Sequence, residues 1–179
     1  MDLDLLLARY DQLVGRIDAH AAAVSQQFPQ ALACHAGCDS CCRHLSLFPV
    51  ELAALSRELQ RRPQAEQTAI LAQLTAPAAG CPLLLSGLCG LYAARPLICR
   101  THGLPLLLAW ADGGQRVDHC PLNFQGCDRL PGTAVLELER LNQLLVAINA
   151  LFVQQAGLSG RLAERLPLAA GLRLWQTQS

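Results

Sequence analysis

Nine cysteines occur in this chain of 179 residues, and four of them fall in one short run, Cys34-His-Ala-Gly-Cys38-Asp-Ser-Cys41-Cys42. Hydrophobic packing does not ordinarily gather thiols this tightly. Adjacent Cys41 and Cys42 are poorly placed to pair with each other, because disulfide geometry needs more separation between Cα atoms than neighbours usually have. Soft sulfur ligands at this spacing point first to a metal or iron–sulfur site. If the run is helical, Cys34, Cys38, Cys41, Cys42 and Leu45 share one face. Gly37 and the Gly-Cys-Asp-Ser string fit a loop or knuckle equally well. In both cases several sulfurs converge.

A second group follows at Cys81, Cys89, Cys99 and Cys120. Each lies beside a turn signal: Cys81-Pro82, Gly87-Leu88-Cys89-Gly90, Pro96 ahead of Cys99, and Cys120-Pro121. Any one of them alone could be a small buried hydrophobe. Eight together are expected to be ligands. Four thiolates suit tetrahedral zinc or a [4Fe–4S] cluster. Adjacent Cys41 and Cys42 fit a cluster, or two sites sharing a wall, better than one small ion. The Cys34-x3-Cys38-x2-Cys41 spacing also occurs in radical S-adenosylmethionine enzymes. Those need a large αβ barrel, for which this chain is too short and too helical.

Other polar residues have plainer readings beside functional ones. His20 belongs to the first helix. His35, His44, His102 and His119 neighbour thiols and are candidate ligands or hydrogen-bond donors, as is the ninth thiol, Cys127, for ligation. Arg43, Arg95 and Arg100 flank cysteines, where N–H donors would offset the charge of a thiolate site. Arg95 and Arg100 sit in an apolar stretch that suits packing. Glu51 can reach a metal or simply complement a helix N-terminus.

The elements that must position these groups are mainly helical. Apolar residues at Leu3, Leu6, Tyr10, Leu13, Ile17, Val24 and Phe28 predict a helix over 2–28, ended by Pro29. Pro49 opens a second helix, to about Arg62. A third runs from Gln64 to Leu74. Residues 83–92 form two short extended pieces around Ser86-Gly87, and Arg95–Gly103 one helical turn closed by glycine. Residues 106–110 and 115–119 form a second hairpin around Asp112-Gly113-Gly114. Thr133 is expected to cap a long helix over Ala134–Gln155, ended by Gly157, and a short helix is expected near Leu162. The fold class is therefore mainly α, a compact helical domain with small β-hairpins carrying a cysteine cluster. We expect one domain over 1–179. Its cysteine core spans about 34–127, between an N-terminal helix (2–28) and a C-terminal helix (134–156).

Charge excludes some functions. Fourteen arginines balance fourteen acidic residues, there is no lysine, and no basic block exists. A nucleic-acid binder would show one. No stretch reaches the ~18 apolar residues of a membrane span, and Met1–Asp4 lacks the features of a signal peptide. A cytoplasmic protein is expected, in which clustered cysteines serve metal or redox chemistry rather than disulfides.

In its motifs the chain resembles the YkgJ-like cysteine-cluster proteins, the CxxCxxCC zinc- or iron-chelating domain family. The matching pieces are Cys34-x3-Cys38-x2-Cys41-Cys42, Cys81-Pro82, Gly87-x-Cys89-x2-Tyr92, Arg95-Pro96-x2-Cys99-Arg100, Gly103 and Cys120, spanning residues 34 to about 120. The resemblance implies bound zinc or iron, with metal ligands among Cys34, Cys38, Cys41, Cys42, Cys81, Cys89, Cys99 and Cys120. Flagellin lysine methyltransferases are similar in this motif. That similarity implies an iron–sulfur centre and methyl transfer, although no S-adenosylmethionine loop is evident. The expected function is metal binding through clustered thiolates, with a structural, regulatory or metal-handling role. The alternative is an iron–sulfur enzyme of redox or methyl-transfer type. A third reading is a zinc module with a protein partner or a self-associating surface.

Overall fold

The computed structural model describes residues 2–75, 80–110, 113–127, 129–158 and 164–176. Helix α1 spans Leu3–Gln27, and Asp2 caps it by accepting from the Asp4 amide at 3.0 Å. Its apolar stripe of Leu7, Tyr10, Leu13, Ile17 and Val24 is buried. Strand β1 (Ser46–Leu47) leads into α2 (Pro49–Gln60), whose first position is the proline that suits it. Helix α3 follows over Gln64–Gln73.

Helix α2 is the centre of the domain. Val50, Leu52, Ala53, Ala54, Leu55 and Leu59 are all buried, so it is covered on most sides. It packs against α1, against α5 (Leu138–Gln155) and against α6 (Leu168–Gln176). Gly171 lets α6 approach, since a Cβ there would collide with the Leu52 side chain. The main core joins these helices through Leu7, Leu55, Leu145, Phe152, Leu172 and Trp175.

Small sheets tie the loops to this core. Strands β2 (Leu84–Leu85) and β3 (Leu88–Cys89) form a hairpin. Helix α4 (Leu97–Thr101) is one short turn. Strand β4 (Leu106–Ala109) pairs antiparallel with β5 (Gln115–Asp118) and parallel with β6 (Leu136–Glu137). Strand β7 (Leu166–Pro167) returns to β1. Among the described residues no helix is long and apolar enough to cross a membrane.

The structure corrects several expectations. The long helix starts at Leu138 rather than Ala134. Thr133 lies in a separate 3₁₀ turn, Gly132–Ala134, and Leu136 and Glu137 are drawn into β6 by Leu106 and Leu107. Leu162 lies outside the described residues, and the C-terminal helix is α6. Of the two readings left open for the run 34–45, helix and loop, the structure shows the loop, with turns. Of the second thiol group only Cys89 lies in a hairpin strand, while Cys99 is carried by α4.

Candidate metal centre

Two consecutive turns shape the first cysteine run. The Cys38 amide donates to His35 O at 3.1 Å, and the Cys42 amide donates to Asp39 O at 2.8 Å. The first turn needs Gly37 at its third position, where φ is +92°. These turns fold the run into a short loop that carries four thiols, Cys34 and Cys41 exposed and Cys38 and Cys42 half-buried.

This loop is stitched to the distant segment 80–127 at two places. At one, the Cys81 amide donates to Cys42 O at 3.2 Å. The β2–β3 hairpin follows immediately and sets Cys89 opposite Leu84. Glu51 connects this region to the central helix. Its carboxylate accepts from the Phe48 amide at 3.0 Å, inside α2's N-terminus, and from the Leu97 amide at 3.2 Å. Glu51 thereby ties α2 to the start of α4, which carries Cys99. Its side chain is buried, and burial raises its pKa above the ordinary carboxylate range against the lowering pull of those two amides.

At the other place, Asn123 holds three segments together. Its Oδ1 accepts from the Ala33 amide at 2.9 Å, and its Nδ2 donates to Gly103 O at 2.8 Å and to Cys34 Sγ at 3.4 Å. Gly103 has φ of +91°, and a Cβ there would stand 3.2 Å from Cys34 Sγ and 3.6 Å from Cys120 Cβ. Phe124 is held at φ +56° between Phe28 and His119, with ring centroids 5.6 and 5.1 Å away. A bulky residue in that region is strained. Here the strain accompanies the placing of buried Asn123 beside Cys34.

The thiols influence one another as one linked series, in which a side-chain hydrogen bond joins Cys41 to Cys42. The Cys42 thiol is pushed up to about 11, first by burial and then by Cys41, Cys81 and Cys89. The Cys99 thiol is pushed up to about 12, by burial and then by Cys81, Cys89 and Cys42. Burial likewise raises Cys81 and Cys89, with Arg95 and Arg62 pulling Cys89 back. Cys41 is raised by burial and then by Cys38 and Cys34, against a lowering backbone hydrogen bond. A thiol beside other thiols loses its proton readily only if a cation arrives to take the charge. Cys34, Cys41 and Cys99 keep exposed residue surface even though packing around the sulfur raises the Cys41 and Cys99 thiols, the rest are half-buried, and all nine cysteines are free of disulfides.

Among the described residues no three His, Cys, Asp or Glu side chains are drawn close enough together to hold a metal ion. The donor chemistry nevertheless fits zinc or iron. Eight soft sulfurs lie on two loops that meet, and the Nε atoms of Arg62 and Arg95 are buried without a hydrogen-bond partner. Both arginines act on Cys89.

The remaining candidates fall to packing or the surface. Cys127 is packed with the apolar cluster of Val24, Leu104, Phe124 and Ala134. His20 bonds to Ala134 O, His35 to Ala33 O and His119 to Cys120 O. His44, His102 and Arg43 are exposed. Arg95 lies over the Tyr92 ring at 4.0 Å. Arg100 is buried and structural, donating to Ala93 O, Arg95 O and the Asp18 carboxylate. Asn123 carried no signal in the sequence, because an asparagine in an irregular loop acquires its role only when residues 33 and 103 fold around it.

A family model described as "CxxCxxCC: Putative zinc- or iron-chelating domain" matches residues 33–121. The chain carries this domain and belongs to its family. No curated protein and no solved structure gives a match. Metal binding is thus the general property that the family supports for this chain.

Proposed function

We propose that this protein binds zinc or an iron–sulfur cluster through Cys34, Cys38, Cys41, Cys42, Cys81, Cys89, Cys99 and Cys120, and that the metal's role is structural. The observation that carries the reading is the double stitching of the 34–42 loop to residues 80–123, by Cys42 and Cys81 on one side and by Cys34 and Asn123 on the other. The 34–42 loop buries no side chain of its own, whereas Leu83, Leu91, Leu97 and Leu104 anchor the segment it meets, so metal–thiolate bonds would supply folding energy to the loop directly. A bound metal would supply the positive charge that lets these cysteines serve as thiolate ligands side by side. Asn123 and Gly103 hold Cys34 in place, and Glu51 holds the helix that carries Cys99. Clustered free thiols are kept reduced most readily in a compartment such as the cytoplasm, which supports that location.

The test is metal analysis and a visible spectrum after anaerobic purification. Stoichiometric zinc, or iron with labile sulfide and a thiolate-to-iron band, is expected. A fully folded protein with neither metal would overturn the reading.

A further inference from the structure

We infer that the groove between α1 and α5 is a docking surface for an acidic amphipathic helix of a different protein. The inference goes beyond the metal-binding reading above and does not rest on it.

The two helices pack against each other, and an open groove of about 430 Å³ lies between them. Leu13, Leu144 and Ile148 line it, together with Arg9, Gln12 and Arg16. Leu144 is 43% exposed there. Helical register extends the apolar surface at both ends. Leu5, which is 75% exposed, stands one turn before Arg9, and exposed Leu151 stands one turn after Ile148. Apolar side chains left in water along one face mark a surface that gains free energy when a partner covers it. Because the groove is open, it suits the ridge of another chain better than an enclosed small molecule.

Charge selects the occupant. Among the described residues no acidic side chain pairs with Arg9 or Arg16. The acids of α1 lie on the opposite flank of its buried stripe, where Asp4 and Asp11 meet Arg57 and Asp18 meets Arg100. The groove flank is therefore left positive. One free arginine on a helix is an ordinary solvated residue. Here two stand on the same side of α1, two turns or about 10 Å apart, beside an apolar floor. An amphipathic helix complements this pattern, with apolar anchors at i, i+3, i+4 and i+7 and acids on its flank. A second copy of this chain does not supply it. Every acid in the described helices is already engaged: Asp4, Asp11, Asp18, Glu58 and Glu66 with arginines, Glu51 with backbone amides, and Glu139 with Gln143. An anionic lipid surface is attracted by clusters of roughly four to eight basic residues on one face, and this groove is lined by two.

The test uses the full-length protein as isolated and two synthetic amphipathic peptides. The peptides share their leucines and carry either glutamates or lysines at the flanking positions. Fluorescence anisotropy should show saturable binding of the glutamate peptide, weakened by added salt, and none of the lysine peptide. Amide hydrogen exchange in that complex should slow in α1 and α5 and not in the cysteine loops. Arg9→Glu combined with Arg16→Glu should weaken the glutamate peptide by about 10-fold or more. The same double variant should bind the lysine peptide, a gain that a misfolded chain does not produce. Leu144→Asp should weaken the glutamate peptide, and metal content should not change in any of these variants. Four results would each overturn the inference and leave the metal-binding reading standing. They are no binding of the glutamate peptide to wild type, equal binding of it to the charge-reversed variant, its displacement by vesicles containing phosphatidylserine, and a wild-type dimer in sedimentation that Leu144→Asp dissolves.

Discussion

Replacing Gly103 with alanine perturbs the junction at a single carbon. Gly103 sits at φ +91°, where an L-residue costs about 1–2 kcal/mol. The added Cβ would stand 2.9 Å from Asn123 Nδ2 and 3.2 Å from Cys34 Sγ. Asn123 is 1% exposed and cannot swing into solvent, so its bonds to Gly103 O, Ala33 N and Cys34 must lengthen, at about 1 kcal/mol for each one lost. We expect metal-free Gly103→Ala to be destabilised by about 2–4 kcal/mol. In the zinc-loaded form the loss should be larger, because weaker binding removes part of the linkage stabilisation. Urea denaturation with saturating zinc and with chelator measures both numbers, and zinc content should fall. A variant within about 0.5 kcal/mol of wild type and with undiminished zinc would refute the role given to this junction.

Glu51→Gln exchanges an accepting oxygen for an amide that faces a backbone N–H, and should cost about 1–3 kcal/mol in thermal or chemical denaturation. Because the folded state raises the Glu51 pKa, the wild type keeps that stability contribution below the ordinary glutamate pKa and loses it as pH rises from there towards the folded value. Glu51→Gln should therefore flatten this part of the stability–pH profile in metal-free protein, and an unchanged profile would count against the burial argument. Cys127→Ser should leave metal content unchanged, since Cys127 packs among Val24, Leu104, Phe124 and Ala134; a lost equivalent would make it a ligand. Chelation should speed amide hydrogen exchange across 33–45 and 80–127 far more than in α2, α5 and α6, and uniform loss of protection would contradict a local metal staple.

The helices were legible where periodicity and breakers agreed. Leu7, Tyr10, Leu13 and Ile17 repeat at helical spacing, and Pro49 marks the start of α2. The start of α5 was not legible, because Thr133 looks like a cap until Leu106 and Leu107 recruit Leu136 and Glu137 into a sheet. Helix α6 carried a signal in Leu168, Leu172 and Trp175, but Gly171 reads as a breaker unless the close face of Leu52 is known. The thiols themselves were evident as a set. The backbone bonds that stitch their loops together were not, because chain spacing says nothing of which loop folds against which. Asn123 and Gly103 lie 89 and 69 residues from Cys34 in number alone, and only the fold makes them its neighbours.

The most direct measurement is X-ray absorption at the metal edge of the protein as isolated anaerobically. The account predicts a coordination shell of sulfur alone, with four thiolates per metal at about 2.3 Å if the metal is zinc. A shell dominated by nitrogen or oxygen, or the absence of any bound metal in folded protein, would contradict it.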